Sequence, residues 1–166
     1  RRDLRHRLWG DVKNEDLWLR TQNHGFTTIP RTMSIILRII DKLSDKGAPL
    51  SATYLALWCF VFDEAFVEIR NPKEMVFEAG FSGARGENTW RLRMRKLVSL
   101  GFLKSRSGVA GEFQYVLILN PIKVIASIYE NHEKDEAFTA LLSKLSHVGA
   151  NDLLISESEI VTKEAN

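Results

Sequence analysis

The sequence predicts a mainly α protein carrying one small β-hairpin, and three observations predict it. Apolar residues recur at three- and four-residue spacing through most of the chain, Gly and Pro divide that pattern into segments of helix length, and after Gly101 the period drops to two. With 166 residues and 19.0 kDa the chain is the size of one domain with extensions. Its 45% apolar and 27% charged composition, with nine Phe, four Trp and three Tyr, is that of a soluble globular protein with bulk enough for an interior.

Residues 1–29 alternate Arg1, Arg2, Arg5, Arg7 and Arg20 with Asp3, Asp11, Glu15 and Asp16 around Leu8-Trp9 and Leu17-Trp18-Leu19, and are expected to form an arm that docks through its tryptophans. Pro30 suits a first helical position, and Met33, Ile36, Leu37, Ile40 and Leu43 make an amphipathic helix over about 31–46, stopped by Gly47-Ala48-Pro49. Ser51 is a favourable N-cap for a second helix over 51–66, whose twelve apolar residues in sixteen imply burial on most sides. Asn71-Pro72 opens a short helix carrying Met75, Val76, Phe77 and Ala79, which closes at Gly80.

A glycine-rich connection, 80–86, leads to a helix over 88–100 with Trp90, Met94, Leu97 and Val98 on one stripe and Gly101 as its C-terminal glycine. Strands over 102–106 and 112–119 follow, joined through a small tip, Ser107 to Gly111. Asn120-Pro121 ends the second strand, and helices are expected at about 122–131 and 134–148, before a polar, loose tail over 156–166. The domain organisation is therefore an arm (1–29), a central domain (30–121) and a C-terminal helical extension with an acidic tail (122–166). The chain opens on Arg1 rather than Met, so further sequence is expected upstream.

Several function classes are disfavoured. The single Cys59 has no partner for an intramolecular disulfide and reads as a small core residue beside Trp58 and Phe60. No apolar run approaches the roughly 18 residues a membrane helix needs, so a cytoplasmic protein is expected. His6, His24, His132 and His147 share no ligand spacing with one another or with Cys59, so no metal is expected. The Gly80, Gly83, Gly86 spacing follows a helix rather than a strand and lacks the Lys-Ser/Thr of a phosphate loop, so neither cofactor nor small-molecule ligand is expected. No triad, catalytic cysteine pair or nuclease-like acidic cluster can be assembled, and the protein is not expected to be an enzyme.

The formal charge of +2 conceals a strong asymmetry. Between Arg85 and Arg106 seven basic residues stand against Glu87 alone, whereas from Glu130 onward eight acidic residues face three basic ones. Such a split is expected when one face meets a polyanion and another does not. At 100° per residue, the side of the 88–100 helix away from Trp90 presents Asn88, Arg91, Leu92, Arg95, Lys96 and Ser99. Arg and Asn carry forked groups that fit guanine and adenine edges, and Leu92 suits a thymine methyl. Lys104, Arg106 and Arg85 are better suited to phosphates. Arg93 projects near the apolar stripe and is expected in a structural salt bridge.

The order helix, helix, short helix, turn, basic helix and "GFLKSRSGVAGEFQYVLIL" hairpin resembles the winged helix-turn-helix family over about residues 30–120, most closely in the "KLVSLGFL" run from Lys96 to Leu103. The resemblance implies a winged helix-turn-helix with an extra N-terminal arm and C-terminal helices. In it the helix from Pro72 to Ala79 precedes the turn, 88–100 enters the major groove of double-stranded DNA, and 102–119 is the wing. It also implies base contacts from Asn88, Arg91, Leu92 and Arg95, and backbone contacts from Arg85, Thr89, Lys96, Ser99, Lys104 and Arg106. The connection from Gly80 to Glu87 exceeds the three or four residues usual in the motif, so the helix start decides whether Arg85 joins its exposed face.

A bacterial transcriptional regulator, nucleoid-associated when bound, is the function this implies. One reading helix covers few base pairs, so a homodimer is expected, through the 51–66 helix or the C-terminal helices unless these complete the monomer core. Two alternatives share the fold: a plasmid or mobile-element replication or partition factor, and a winged-helix protein-interaction module.

Overall fold

The computed structural model describes residues 1–61 and 63–150; the expected loose tail at 156–166 lies outside them. Its helices are α1 (Arg2–Leu8), α2 (Met33–Leu43), α3 (Ser51–Phe60), α4 (Pro72–Glu78), α5 (Gly86–Leu100), α6 (Pro121–Tyr129) and α7 (Glu136–His147), with a 3-10 turn at Asn14–Asp16. Three strands, β1 (Phe66–Glu68), β2 (Leu103–Gly108) and β3 (Gly111–Ile118), form an antiparallel sheet in the order β1-β3-β2. The protein is thus mainly helical with a small three-stranded sheet. No helix among the described residues is long and apolar enough to cross a membrane.

One continuous core joins every element from α2 to α7. Ile36, Ile39 and Ile40 of α2, Tyr54 and Leu57 of α3, Met75 of α4, Met94 and Leu97 of α5, Val67 and Val116 of the sheet, Ile125 of α6 and Leu141 of α7 are all buried in it. Tyr54 packs edge-on against Phe102 at 5.8 Å between ring centroids, which locks α3 onto the start of the hairpin. Most apolar residues of the C-terminal helices, including Ile122, Tyr129, Phe138 and Leu145, enter this core, while Leu142 is exposed. Those helices complete the monomer.

Asp135 ties that half together. Its carboxylate caps α7 by accepting from the Phe138 N–H at 2.9 Å, accepts the Tyr129 hydroxyl at 2.9 Å, and meets Lys42 of α2 at 2.8 Å. The Lys42 bond, with the Phe138 and Tyr129 bonds, lowers the Asp135 pKa to about 2. Asp41, one residue away on α2, caps α3 from outside: Oδ1 accepts from both the Leu50 and Ser51 N–H groups at 2.8 Å.

The structure corrects several expectations. Ser51 is the first residue of α3 rather than its cap, because Asp41 supplies the acceptor. The helix expected over 51–66 stops at Phe60. Glu64 and Ala65 then take positive φ of 57° and 58°, the Ala65 carbonyl accepts from the Ile118 N–H, and Phe66 to Glu68 become the strand that edges the sheet. Helix α3 buries one face only, through Thr53, Tyr54, Ala56 and Leu57, and leaves Cys59 exposed rather than in the core. The first amphipathic helix is shorter than 31–46, since Pro30 lies in the turn before it and its carbonyl accepts from the Met33 N–H. Pro121 opens α6, with Asn120 accepting from the Ile122 N–H at 3.1 Å.

The largest correction concerns the arm. Trp9 is 59% exposed and Trp18 is 65% exposed, so neither docks on the described core. Trp18 instead meets Phe26 edge-on at 5.8 Å, and the Arg20 guanidinium lies over the same Phe26 ring.

Candidate nucleic-acid interface

Helix α5 is positioned by its apolar stripe. Trp90, Met94 and Leu97 are buried, and Trp90 packs edge-on against Phe113 of β3 at 5.7 Å, so the helix lies against the hairpin. It begins at Gly86, two residues before the expected Asn88, and Arg85 stands at its N-cap position. Buried Gly86 packs closely there: a Cβ at this position would lie 3.4 Å from a Val76 methyl of α4 and 3.5 Å from Phe81 in the preceding turn. At the far end Gly101, with φ of 94°, turns the chain directly into β2, and the Phe102 N–H donates to the Leu97 carbonyl at 3.1 Å.

Asn88, Leu92, Arg95 and Ser99 are exposed, and Arg91, Thr89 and Lys96 are half-buried. The structure therefore brings Asn88, Arg91, Leu92 and Arg95 onto the outer side of one helix. Arg91 and Glu87 line a small cavity with Ala110 to Gln114, which sets the hairpin tip beside the first half of α5. Strands β2 and β3 extend to a Gly108-Gly111 pair, so the tip is tighter than the expected 107–111 loop, and the Gln114 side chain braces it by accepting from the Ala110 N–H at 2.8 Å.

Three of the expected contacts already hold carboxylates. Arg95 makes a two-pronged bond to Glu112 of β3, Nε to Oε1 at 3.0 Å and Nη2 to Oε2 at 2.7 Å. The Arg95 guanidinium holds the Glu112 carboxyl below its ordinary range. Lys96 meets Asp45, after α2, at 3.2 Å, and Arg91 meets Glu87 one turn earlier at 3.6 Å. Each pair is solvent-exposed on at least one side, where such bonds contribute about 0–1 kcal/mol, so a phosphate or base can displace the carboxylate. Arg85, Lys104 and Arg106 are exposed and hold no carboxylate among the described residues. Seven basic residues against these three carboxylates leave the region cationic.

The hydroxyl protons of Thr89 and Ser99 are donated to the Arg85 and Lys96 carbonyls, at 3.0 and 2.8 Å, so a phosphate contact from either requires that bond to open. Arg93 is not in the expected salt bridge. Its guanidinium lies over the Phe81 ring, 5.8 Å from the centroid, a cation–π contact that pins the turn before α5. The pairing of Arg91 with Glu87 was not anticipated, although their four-residue spacing on one helix is a signal that could have found it. Nothing local pointed to Asp45 or Glu112, which approach only through the fold.

Among the described residues no group of three or more His, Cys, Asp or Glu is placed to hold a metal ion. Compared with known proteins, the chain matches no family model, no curated protein and no solved structure at a significant level.

Proposed function

We propose that this chain is a winged helix-turn-helix protein that binds double-stranded DNA, with α4 and α5 as the helix-turn-helix, the outer face of α5 in the major groove and the β2-β3 hairpin as the wing. One observation carries the reading. A helix with a buried stripe turns Asn88, Arg91, Leu92 and Arg95 outward beside a hairpin tip, in a region with a net cationic excess. Forked donors on such a helix match base edges, and Arg85, Lys104 and Arg106 are left for the backbone. Lys96 also reaches phosphate once Asp45 is displaced. A cytoplasmic bacterial regulator acting as a homodimer on a two-fold site is the role this supports, because a single α5 spans few base pairs.

The test is duplex binding by anisotropy against salt, with selection of bound sequences from random DNA. Log affinity falls linearly with log salt, and Arg91→Ala with Arg95→Ala weakens binding and relaxes sequence preference. Unchanged affinity in that double variant removes α5 as the reading helix. The carboxylates on Arg91, Arg95 and Lys96 favour a second reading, a protein-interaction module whose cations grip an acidic partner. Absence of any salt-dependent duplex binding selects it.

A further inference from the structure

The sheet has a second face that the duplex reading leaves unused apart from its cations. Along each strand the residues alternate: Val67, Leu103, Val116 and Ile118 are buried, while Phe66, Glu68, Lys104, Arg106, Tyr115 and Leu117 are turned outward. The register sets these in two rows, Phe66-Leu117-Lys104 and Glu68-Tyr115-Arg106. Phe66 and Tyr115 stack at 6.3 Å with ring planes 12° apart, and they remain 42% and 38% exposed. With Val98 they line an open hollow of about 790 Å³ whose rim carries Lys104 and Arg106.

The charges select the occupant. Glu68 is held by Arg70 through two bonds of 2.9 and 3.0 Å, so its charge is already matched. Lys104 and Arg106 hold no carboxylate among the described residues. An apolar partner would strip water from both cations and offer nothing in return. A second copy packed face to face would bring two further cations against these two. The occupant must therefore be anionic and present flat faces to two aromatic rings. Duplex DNA hides its base faces within the stack, whereas a single strand exposes them.

We infer that the outer sheet face binds single-stranded nucleic acid, with bases stacked on Phe66 and Tyr115 and phosphates on Lys104 and Arg106. The two cations lie two residues apart on β2, about 7 Å along the strand, a step that suits neighbouring phosphates of an extended chain. The site borders α5 through Val98 and shares Lys104 and Arg106 with the proposed duplex contacts, but its aromatic pair plays no part in the duplex reading.

The probe is a fluorescent oligothymidine titrated into the full chain at low salt. Tyr115→Ala and Phe66→Ala each weaken its binding about tenfold, while Tyr115→Phe keeps it. Lys104→Ala with Arg106→Ala flattens the salt dependence and weakens oligothymidine binding more than Arg91→Ala with Arg95→Ala does, whereas an equal or larger loss in the α5 pair overturns the site. Circular dichroism of each variant checks folding, and amide shifts of β1 and β3 on titration report the site directly. Oligothymidine binding that ignores Tyr115→Ala, shifts confined to α5, or no binding at all overturns the proposal. So does a dimer that dissociates on Leu117→Asp and binds no oligothymidine, which would mean that a second copy covers this face.

Discussion

The N-terminal arm and the body from α2 to α7 draw on the same residue types and do opposite things with them. Both carry tryptophan among arginines and carboxylates. In the body Trp90 of α5 is 2% exposed and packs against Phe113, whereas Trp18 in the arm is 65% exposed and packs edge-on against Phe26. Burial is decided by whether a segment has an opposing apolar surface, and the arm has none among the described residues. An aromatic-rich segment is therefore not by that fact part of a core.

The contrast breaks most visibly under truncation of the two tryptophans. Trp90→Ala is expected to cost about 3–5 kcal/mol in urea denaturation, the range for a large buried aromatic. Trp18→Ala is expected to stay within about 0.5 kcal/mol of the parent. Comparable losses at the two positions would mean that the arm docks after all.

The body itself is held at its helix ends by single carboxylates. Asp41→Ala removes the acceptor for two N–H groups at the start of α3 and is expected to lower stability by about 1–2 kcal/mol, whereas Asp11→Ala in the arm leaves it unchanged. Both are read from the same denaturation midpoints.

Asp135 sharpens the comparison through pH. Its pKa lies at about 2 in the folded chain, below the ordinary 3.8, so its contribution is present in full above about pH 4 and is lost as pH falls towards 2. The stability gap between the parent and Asp135→Asn should narrow across that window. A gap that is constant from pH 5 to pH 2 would show that the Lys42, Phe138 and Tyr129 contacts do not act on the ionised form.

The smallest expected effect falls on the proposed duplex face. Glu112→Gln releases Arg95 from its fork and removes one negative charge beside the tip, so duplex affinity is expected to rise a few-fold at low salt and to converge with the parent at high salt. Weaker binding by Glu112→Gln would instead mean that Glu112 holds Arg95 in the orientation that reads DNA.

Much of the body was legible because its signals are short-range. Asn71-Pro72 opens α4, Gly101 closes α5 and the change of period after it marks the hairpin, each written within a few neighbouring residues. The missed strand β1 is three residues long and follows an apolar helix with no Gly or Pro between them, so periodicity had nothing to separate them. The candidate interface was legible in the same uneven way. The outward stripe of α5 follows from its helical period, but its neutralising partners do not.

What the amino-acid sequence determined by itself is the order of helices α2 to α7 and the hairpin, the buried stripe of α5 and the concentration of positive charge around it, because spacing and end signals act over one or two turns. The tertiary structure alone decided that Asp41 caps α3, that Glu112 and Asp45 meet Arg95 and Lys96, that Phe66 stacks on Tyr115, and that the arm's tryptophans stay in solvent. Each of these depends on which surfaces meet once the chain has folded, and hydrogen bonds, ion pairs and burial act at contact distance in space, whatever the separation along the chain.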